Sequence, residues 1–183
     1  MIHLHCTKKL LAKLPVNEHG RLPTKRPGLF AANDAAESPL GHWHANLLLI
    51  QRRQCVLLVH DVTRFPVFIP SLTRPDFADL EYRFVDSFMN TLLKTGADET
   101  LMQKAQATLG PLVCDSVCDR SVQGTLNQMG QEVEDLVYYD GLNVAERPCS
   151  IYRQKDVVWP VEAMRTWLLG GNDQVKGEDG QEA

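Results

Sequence analysis

Apolar and polar positions between residues 42 and 70 predict the centre of a β-sheet. Three short apolar runs, at 45–50, 55–59 and 65–69, are separated by polar corners. Runs of this length, rich in Leu, Val and Ile, are typical of strands rather than helices. The first run has no polar face, so we expect at least part of its strand to be covered on both sides.

The first residues predict another strand. The apolar residues of 2–6 alternate with His3 and His5, so the imidazoles share one side of that strand. Thr7 can then cap a helix over 8–14 that Pro15 ends.

Apolar residues that recur every three or four positions predict amphipathic helices in the second half of the chain. The clearest helix begins near Thr73 and ends at Gly96, and Asp98 can cap the next one. A further helix is expected to begin at Asp119 or Ser121. The other predicted elements are strands over 112–117 and 149–153 and a helix over 161–169.

Together these elements predict a single α+β domain over residues 1–169. Its sheet is expected to be mainly antiparallel and built on the strands of 43–69, with three to five helices packed on it. The stretch 15–41 contains four prolines and few apolar residues, which favours a long, mobile loop. Residues 170–183 are acidic and rich in glycine, which indicates a disordered tail.

Composition narrows the class of protein. The chain has 183 residues, of which 44% are apolar and 23% charged, as in ordinary globular domains. Five cysteines at irregular spacing do not form a disulfide framework, so a reducing cytoplasm is expected. No apolar run approaches the roughly 20 residues that span a bilayer, so no membrane association is expected.

Charge is distributed unevenly along the chain. Residues 1–60 carry eight Lys and Arg against three Asp and Glu, although the whole chain has a net charge of −4. Such a division can place a basic patch on an acidic body, where anionic partners would bind.

The helix start after the first strand is a candidate anion site. Lys8 and Lys9 stand in its first turn, where the helix dipole disfavours cations unless an anion occupies the free amides. The alternative is two solvated lysines on a surface helix. The full set of candidate anion-binding residues is Thr7, Lys8, Lys9, Arg52, Arg53 and Arg120.

Histidine spacing suggests a second kind of site. Each of the two His-x-His pairs, 3/5 and 42/44, directs two imidazoles to one side of a strand, which is a known zinc arrangement with a carboxylate. Candidate metal ligands are His5, His44 and Asp61, and His44 and Asp61 are also candidate catalytic residues. The alternative is that these histidines are surface or hydrogen-bonded residues without a ligand.

Other residues could line a pocket. Trp43 and Asn46 stand where the central strand begins, and Ser121 and Asn127 follow Arg120 at a helix start. Trp43 could offer a stacking surface, and Arg120 could bind a carboxylate or phosphate through its guanidinium group. Core packing of Trp43 and a capping network around Arg120 are the alternatives.

Four sequence blocks resemble a family of uncharacterised bacterial proteins that is classified as a domain of unknown function. The likeness covers most of residues 1–140. It implies a bacterial cytosolic protein with one domain, and it implies no reaction, cofactor or catalytic residue. The blocks are HCTKKL at 5–10, LGHWHANLL at 40–48, CVLLVHDVTRF at 55–65 and SVQGTLNQM at 121–129.

These signals leave three hypotheses for function. The first is a non-enzymatic module that binds an anionic, phosphate-bearing ligand, a nucleic acid or a protein partner. The second is a small hydrolase, with or without a metal, that uses His5, His44 and Asp61. The third is a structural partner whose function lies in a complex. The chain has no P-loop, nucleophile-elbow or zinc-protease motif, and its pI of about 5.8 disfavours a dedicated nucleic-acid binder.

Overall fold

The computed structural model describes residues 1–23, 30, 37–140 and 160–170. In these ranges the strands are β1 (Ile2–Cys6), β2 (His42–Ile50), β3 (Arg53–His60), β4 (Pro66–Leu72) and β5 (Leu112–Asp115). The helices are α1 (Lys8–Leu11), α2 (Arg74–Phe77), α3 (Leu80–Lys94), α4 (Glu99–Thr108), α5 (Arg120–Asp140) and α6 (Pro160–Leu168). None of these helices combines the length and the apolar character needed to cross a bilayer.

All five strands form one sheet in the order β4-β3-β2-β1-β5. β2, β3 and β4 follow one another as an antiparallel meander, and β1 lies parallel to both β2 and β5. The longest pairing, between β2 and β3, is antiparallel, and the predicted α+β fold with a mainly antiparallel sheet is confirmed. The two parallel pairings of β1 were not predicted, because they join segments that lie far apart in the chain.

The β2–β3 hairpin closes through a two-residue turn. Ile50 pairs with Arg53, so Gln51 and Arg52 alone form the turn, and both have positive φ, at 47° and 65°. Positive φ at both central residues is the type I′ geometry that matches strand twist, normally supplied by Asn-Gly or Gly-Gly. Neither turn residue is glycine, so the sequence does not indicate this type of turn, and β3 begins two residues before the predicted apolar run.

One face of the sheet carries the larger core. Trp43 is fully buried there, contacts the edge of Phe84 at a ring-centroid distance of 5.1 Å, and donates its indole N–H to the Leu40 carbonyl at 3.1 Å. Helices α1 to α4, which precede β5 in the sequence, and helix α6, which follows it, contribute residues to this core. Its helical residues are Leu10, Phe77, Leu80, Phe84, Phe88, Leu92, Leu101, Ala105, Met164 and Leu168.

The opposite face is covered differently. α5 lies on β2 and β3 and buries a smaller apolar cluster, in which one helical stripe packs on alternate strand residues. The members of this cluster are Leu48, Ile50, Cys55, Leu57, Val59, Val122, Leu126, Met129, Val133 and Val137. No residue of β1 or β5 belongs to this cluster, so this side of the sheet has room for polar side chains.

Helix boundaries differ from prediction in the segment after β4. The single helix expected from Thr73 to Gly96 is two helices, because Ala78 ends α2 and Asp79 begins α3. Thr73 and Asp76 form a reciprocal capping box at the start of α2. The predicted cap at Asp98 is confirmed by its side chain, which accepts the N–H of Leu101 at 2.8 Å.

Several predictions fall on residues that the structure does not describe. These are the strand at 149–153, most of the tail at 170–183, and segments 24–29 and 31–36 of the long loop. The described part of that loop is anchored, since Arg21 forms a β-bridge with Val113 and Gly20 accepts the N–H of Cys114 at 2.8 Å.

Candidate functional site

The two His-x-His pairs lie side by side on the same face of the sheet. In the parallel pairing of β1 with β2, His3 is opposite His42 and His5 is opposite His44. Side chains two residues apart on a strand share a face, so four imidazoles form a compact group. The group lies on the α5 side of the sheet, beyond the apolar cluster that α5 covers. The spacing of each pair was visible in the sequence, and only the pairing of the two strands joins them.

Three of the side chains in this region form a hydrogen-bonded chain. The carboxylate of Asp115, at the end of β5, lies 2.7 Å from His5 Nδ1. His5 Nε2 in turn lies 3.0 Å from His42 Nδ1. Asp115 also accepts the N–H of Val117 at 2.9 Å, which holds the carboxylate in place. The chain thus runs from a carboxylate through a buried imidazole to the exposed imidazole of His42.

Hydrogen-bond complementarity sets the protons along this chain. An ionised Asp115 only accepts, so His5 Nδ1 carries a proton. With His5 neutral, its Nε2 accepts the Nδ1–H of His42, and His42 Nε2 then carries a lone pair. No described residue donates a hydrogen bond to His42 Nε2. The arrangement therefore presents a basic nitrogen at the surface, with a carboxylate behind it.

Ring contacts also limit the movement of His42. Its ring stacks on His3 with centroids 4.9 Å apart, and the ring of His5, its hydrogen-bond partner, has its centroid 5.2 Å away. His3 also lies 3.3 Å from the carboxylate of Glu37. The exposed imidazole is therefore held by a stacked ring and by a hydrogen bond to a second ring.

His44 has a different environment from that of His42. It is 2% exposed, its Nδ1 lies 2.8 Å from Asp61 Oδ1, and its Nε2 accepts the backbone N–H of Asp119 at 2.9 Å. Because an amide N–H can only donate, the ring is neutral and its proton is on Nδ1. Both nitrogens are thus engaged, and neither is offered to a substrate or a metal ion.

The start of α5 closes one side of the polar cluster, which consists of His3, His5, His42, His44, Asp61, Asp115 and Asp119. The Asp119 carboxylate accepts the N–H groups of Ser121 and Val122 at 2.7 and 3.1 Å, and these bonds hold the pKa of Asp119 below its usual range. Arg64 donates to the Asp61 carbonyl at 2.6 Å and to the Ser121 hydroxyl at 3.1 Å. Asp119 is thus the residue that caps this helix, one of the two predicted from sequence.

The predicted anion-binding residues are divided between distant places. The Thr7 hydroxyl donates to the Asn46 side chain at 3.0 Å, beside exposed Lys8 and Lys9 on the four-residue α1. Arg120 stands at the start of α5. Arg52 and Arg53 lie at the hairpin turn next to the other end of α5, where Gln51 donates to the Val137 carbonyl at 3.3 Å. At 1.5 Å per residue, Arg120 and Val137 are about 25 Å apart along α5.

The other predicted pocket residues are not brought together either. Trp43 lies in the core on the opposite face of the sheet from Asn46 and His44. Ser121 is at the polar cluster, whereas Asn127 is exposed on α5 and accepts a hydrogen bond from Gln123 at 3.0 Å.

Metal and thiol chemistry find little support in the described ranges. These ranges contain no group of three or more His, Cys, Asp or Glu side chains arranged to hold a metal ion. Cys6 is buried beside Cys114, and the hydrogen bond between the two thiols, together with burial, raises the pKa of Cys6 far above its usual range. A thiol in this state is a poor nucleophile.

Sequence reasoning missed three residues of the cluster. Asp115 lies inside the strand predicted over 112–117, Asp119 was assigned only a capping role, and His42 was named in a His-x-His pair but not among the candidate ligands or catalytic residues. The one usable signal was the repeated His-x-His spacing together with an aspartate at a strand end. Neither feature indicates by itself which strands are neighbours.

Comparison with protein families places the chain. A model of a domain of unknown function, DUF6933, matches residues 3–163. The chain belongs to this family. No curated protein and no solved structure matches it. The family description names no reaction, so the chemistry of this chain is inferred from the arrangement of its side chains.

The four sequence blocks that resemble the family meet at the polar cluster of this DUF6933 chain. The first and second blocks are joined by the Thr7–Asn46 hydrogen bond, and the second and third by the pair of His44 with Asp61. The third and fourth are joined by Arg64 and Ser121. Segments that are far apart in sequence thus converge on one polar region of the fold.

Proposed function

We propose that this DUF6933 chain is a small hydrolase in which His42 is the general base. The observation that carries this proposal is the hydrogen-bonded chain from Asp115 through His5 to the exposed ring of His42. A base whose orientation is fixed by a second group is the common arrangement in hydrolytic sites. In this chain Asp115 orients His5, and His5 orients His42.

Electrostatics supports the same assignment. When His42 Nε2 takes a proton from water or from a substrate hydroxyl, its Nδ1–H is already bonded to His5. Positive charge that develops on the two rings lies close to the Asp115 carboxylate, which stabilises it. Burial of His5 strengthens this interaction, because solvent screens it less.

His44 and Asp61 take a supporting part in the proposed site. The original hydrolase hypothesis made them catalytic, and we now assign the base to His42 because both nitrogens of His44 are engaged. The ring of His44 lies 5.0 Å from that of His5, centroid to centroid, and limits the movement of His5.

Substitution of the base tests the proposal. We expect His42→Gln to lower kcat/KM on a responsive ester or phosphoester probe, such as p-nitrophenyl acetate or p-nitrophenyl phosphate, by at least about 100-fold. Asp115→Asn should lower kcat/KM by a smaller factor, because His42 remains in place. His19→Gln is the matched control, since the His19 side chain is 75% exposed and lies outside the cluster. Equal turnover by the parent chain and His42→Gln, or none by the parent on either probe, would overturn the assignment.

Binding of an anionic ligand is the second candidate function. Thr7, Lys8 and Lys9 follow β1 at the edge where β5 also ends, and the helices after these two parallel strands, α1 and α5, pack on opposite faces. In open sheets, ligands commonly bind where the connections that follow two neighbouring parallel strands leave on opposite faces of the sheet. A phosphate-bearing small molecule is the favoured ligand, with nucleic acid and a protein partner as the other proposals.

A charge reversal tests the second candidate. Lys8→Glu combined with Lys9→Glu should weaken binding of inorganic phosphate, nucleotides or short nucleic acids by about tenfold or more in titration calorimetry. Lys104→Glu, at an exposed position on α4, is the control. If the double variant and the parent bind equally, these lysines have no part in recognition.

We also propose that the protein is cytoplasmic. Support comes from the cysteines, since Cys6, Cys55, Cys114 and Cys118 are free thiols. Free thiols persist in reducing compartments.

A further inference from the structure

We infer that His44 and the backbone amide of Asp119 form a protonation-sensitive latch at the start of α5. His44 Nε2 accepts the Asp119 N–H at 2.9 Å, while Nδ1 lies 2.8 Å from Asp61. The amide can only donate, so this bond exists only while His44 Nε2 has no proton. Protonation places two N–H groups opposite each other and breaks the bond. The pair with Asp61 survives, because a carboxylate accepts from either form of the ring.

The latch holds a segment that has few other attachments on this side. Asp119 caps α5 through the N–H groups of Ser121 and Val122. Among the residues that the structure describes, Arg64 supplies the other side-chain hydrogen bond from outside α5 to this turn, through the Ser121 hydroxyl. The apolar stripe of α5 begins at Val122, so it holds the body of the helix and not the residues before it. Loss of the His44 bond therefore frees the Asp119 amide and the loop before α5, while the helix from Val122 onward stays docked.

Release of this turn exposes the polar cluster. His44 is buried, the Asp119 amide covers its Nε2, and the ring of His5 lies directly beside it. Opening of the segment would admit water to both rings. The latch is independent of the proposed general base, because it uses hydrogen bonds in which His42 takes no part.

Several charged groups surround the latch and set how readily it opens. Asp61, after β3, favours the protonated ring, and so does the Asp119 carboxylate at the start of α5. Arg64, before β4, opposes it. His5 on β1 and His42 on β2 oppose it whenever they carry charge, and Asp115 on β5 offsets the charge of His5. Among the described residues only His44 bonds the Asp119 amide, so that amide reports the protonation of His44 alone.

Hydrogen exchange of the full-length, ¹⁵N-labelled chain tests the latch. We expect the protection factor of the Asp119 amide to fall at least about tenfold when the pH is lowered from about 8 to about 5. The Val133 amide, in the middle of α5, should keep its protection. A pH-independent protection factor at Asp119 in the parent chain would overturn the inference.

Two variants separate the latch from general acid destabilisation. In His44→Gln the side-chain oxygen can accept the Asp119 N–H at every pH, so protection should no longer depend on pH. In Asp61→Asn the protonated ring loses its anionic partner, so opening should shift to lower pH. His19→Gln should behave as the parent does. If His44→Gln retains the pH dependence of the parent, or if Asp61→Asn opens at the same pH as the parent, the latch is refuted.

These measurements need no substrate and no activity. A chain that lacks hydrolase activity but shows the expected exchange at Asp119 would contradict the proposed function and leave the latch supported. If His42→Gln is inactive and Asp119 exchange does not depend on pH, the proposed function is supported and the latch is contradicted.

Discussion

The two faces of the sheet show how one fold separates stability from chemistry. On one face, Trp43 and a layer of helices form a large apolar core. On the other, α5 covers only the β2–β3 part, and the β1–β5 part carries imidazoles and carboxylates. A fold that is already held by one complete face can leave half of the other face polar.

Two buried histidines make the comparison sharper. His60 is on the Trp43 face, and its partners are the neutral Thr63 side chain and the Leu40 carbonyl. His44 is on the other face, and its partner is the carboxylate of Asp61. Both rings have their two nitrogens engaged and almost no exposure. The difference lies in the directly bonded partner, because a carboxylate carries a negative charge that stabilises a protonated ring more than a neutral hydroxyl or carbonyl does.

The largest expected effect is from truncation of the aromatic core. Trp43→Ala should lower the free energy of unfolding by about 3–5 kcal/mol, because it leaves a cavity under the sheet and removes the indole bond to Leu40. Urea denaturation followed by far-UV circular dichroism measures the loss. Trp43→Phe is the control, since it keeps a ring against Phe84 and should cost less. A loss below about 1 kcal/mol for Trp43→Ala would show that this face does not hold the fold.

The next effect is a pH dependence from His60. Burial lowers the pKa of His60 to about 4, against 6.5 for an unperturbed histidine. Between about pH 6.5 and pH 4, His60 therefore binds a proton in the unfolded chain but not in the folded chain. This contribution to stability is complete above about pH 6.5 and is lost as the pH falls towards 4, by about 3 kcal/mol at 1.36 kcal/mol per unit.

Urea denaturation at several pH values measures this dependence. His60→Gln lacks the titrating group, so its stability should fall less steeply than that of the parent between about pH 6.5 and pH 4. The other histidines are present in both chains, and their contributions cancel in the comparison. Parallel pH profiles for parent and variant would mean that His60 titrates alike in the folded and unfolded chains.

The smallest effect concerns the helix that covers the second face. Gly124 is exposed on α5, and a Cβ added there meets nothing within 4 Å, so Gly124→Ala should raise the free energy of unfolding by about 1 kcal/mol. Gly130→Ala is the matched variant. Its Cβ would lie 3.4 Å from Leu48, so its gain should be smaller. Thermal unfolding of both variants checks the order, and a loss of stability for Gly124→Ala would contradict it.

Local patterns predicted much of the fold. The strand at 2–6, the cap at Asp98 and the helix that begins after Asp119 follow from alternation, helical periodicity and capping chemistry. Each depends on neighbours within a few residues. The prediction failed at 73–96, where the apolar period continues through the break at Ala78 and Asp79. A continuous period indicates a shared buried face, which two successive helices can also provide.

The candidate site was less predictable, because its members come from distant segments. His5 and Asp115 are 110 positions apart, and His44 and Asp119 are 75 apart. His5, His44 and Asp61 were selected from the sequence and do lie together, whereas Arg52 and Arg53 lie far from Arg120. Residue type and spacing identify candidate side chains, but they carry no information about which strands pair.

The sequence by itself determined that His3 and His5 share one face of a strand and that the pair at 42 and 44 shares another, because side chains alternate along any extended chain. Tertiary structure decided that β1 inserts between β2 and β5, in the register that sets His5 between Asp115 and His42. That choice depends on the burial of whole strands and helices against each other. The energy of such packing is spread over the entire core and is not written in any short segment.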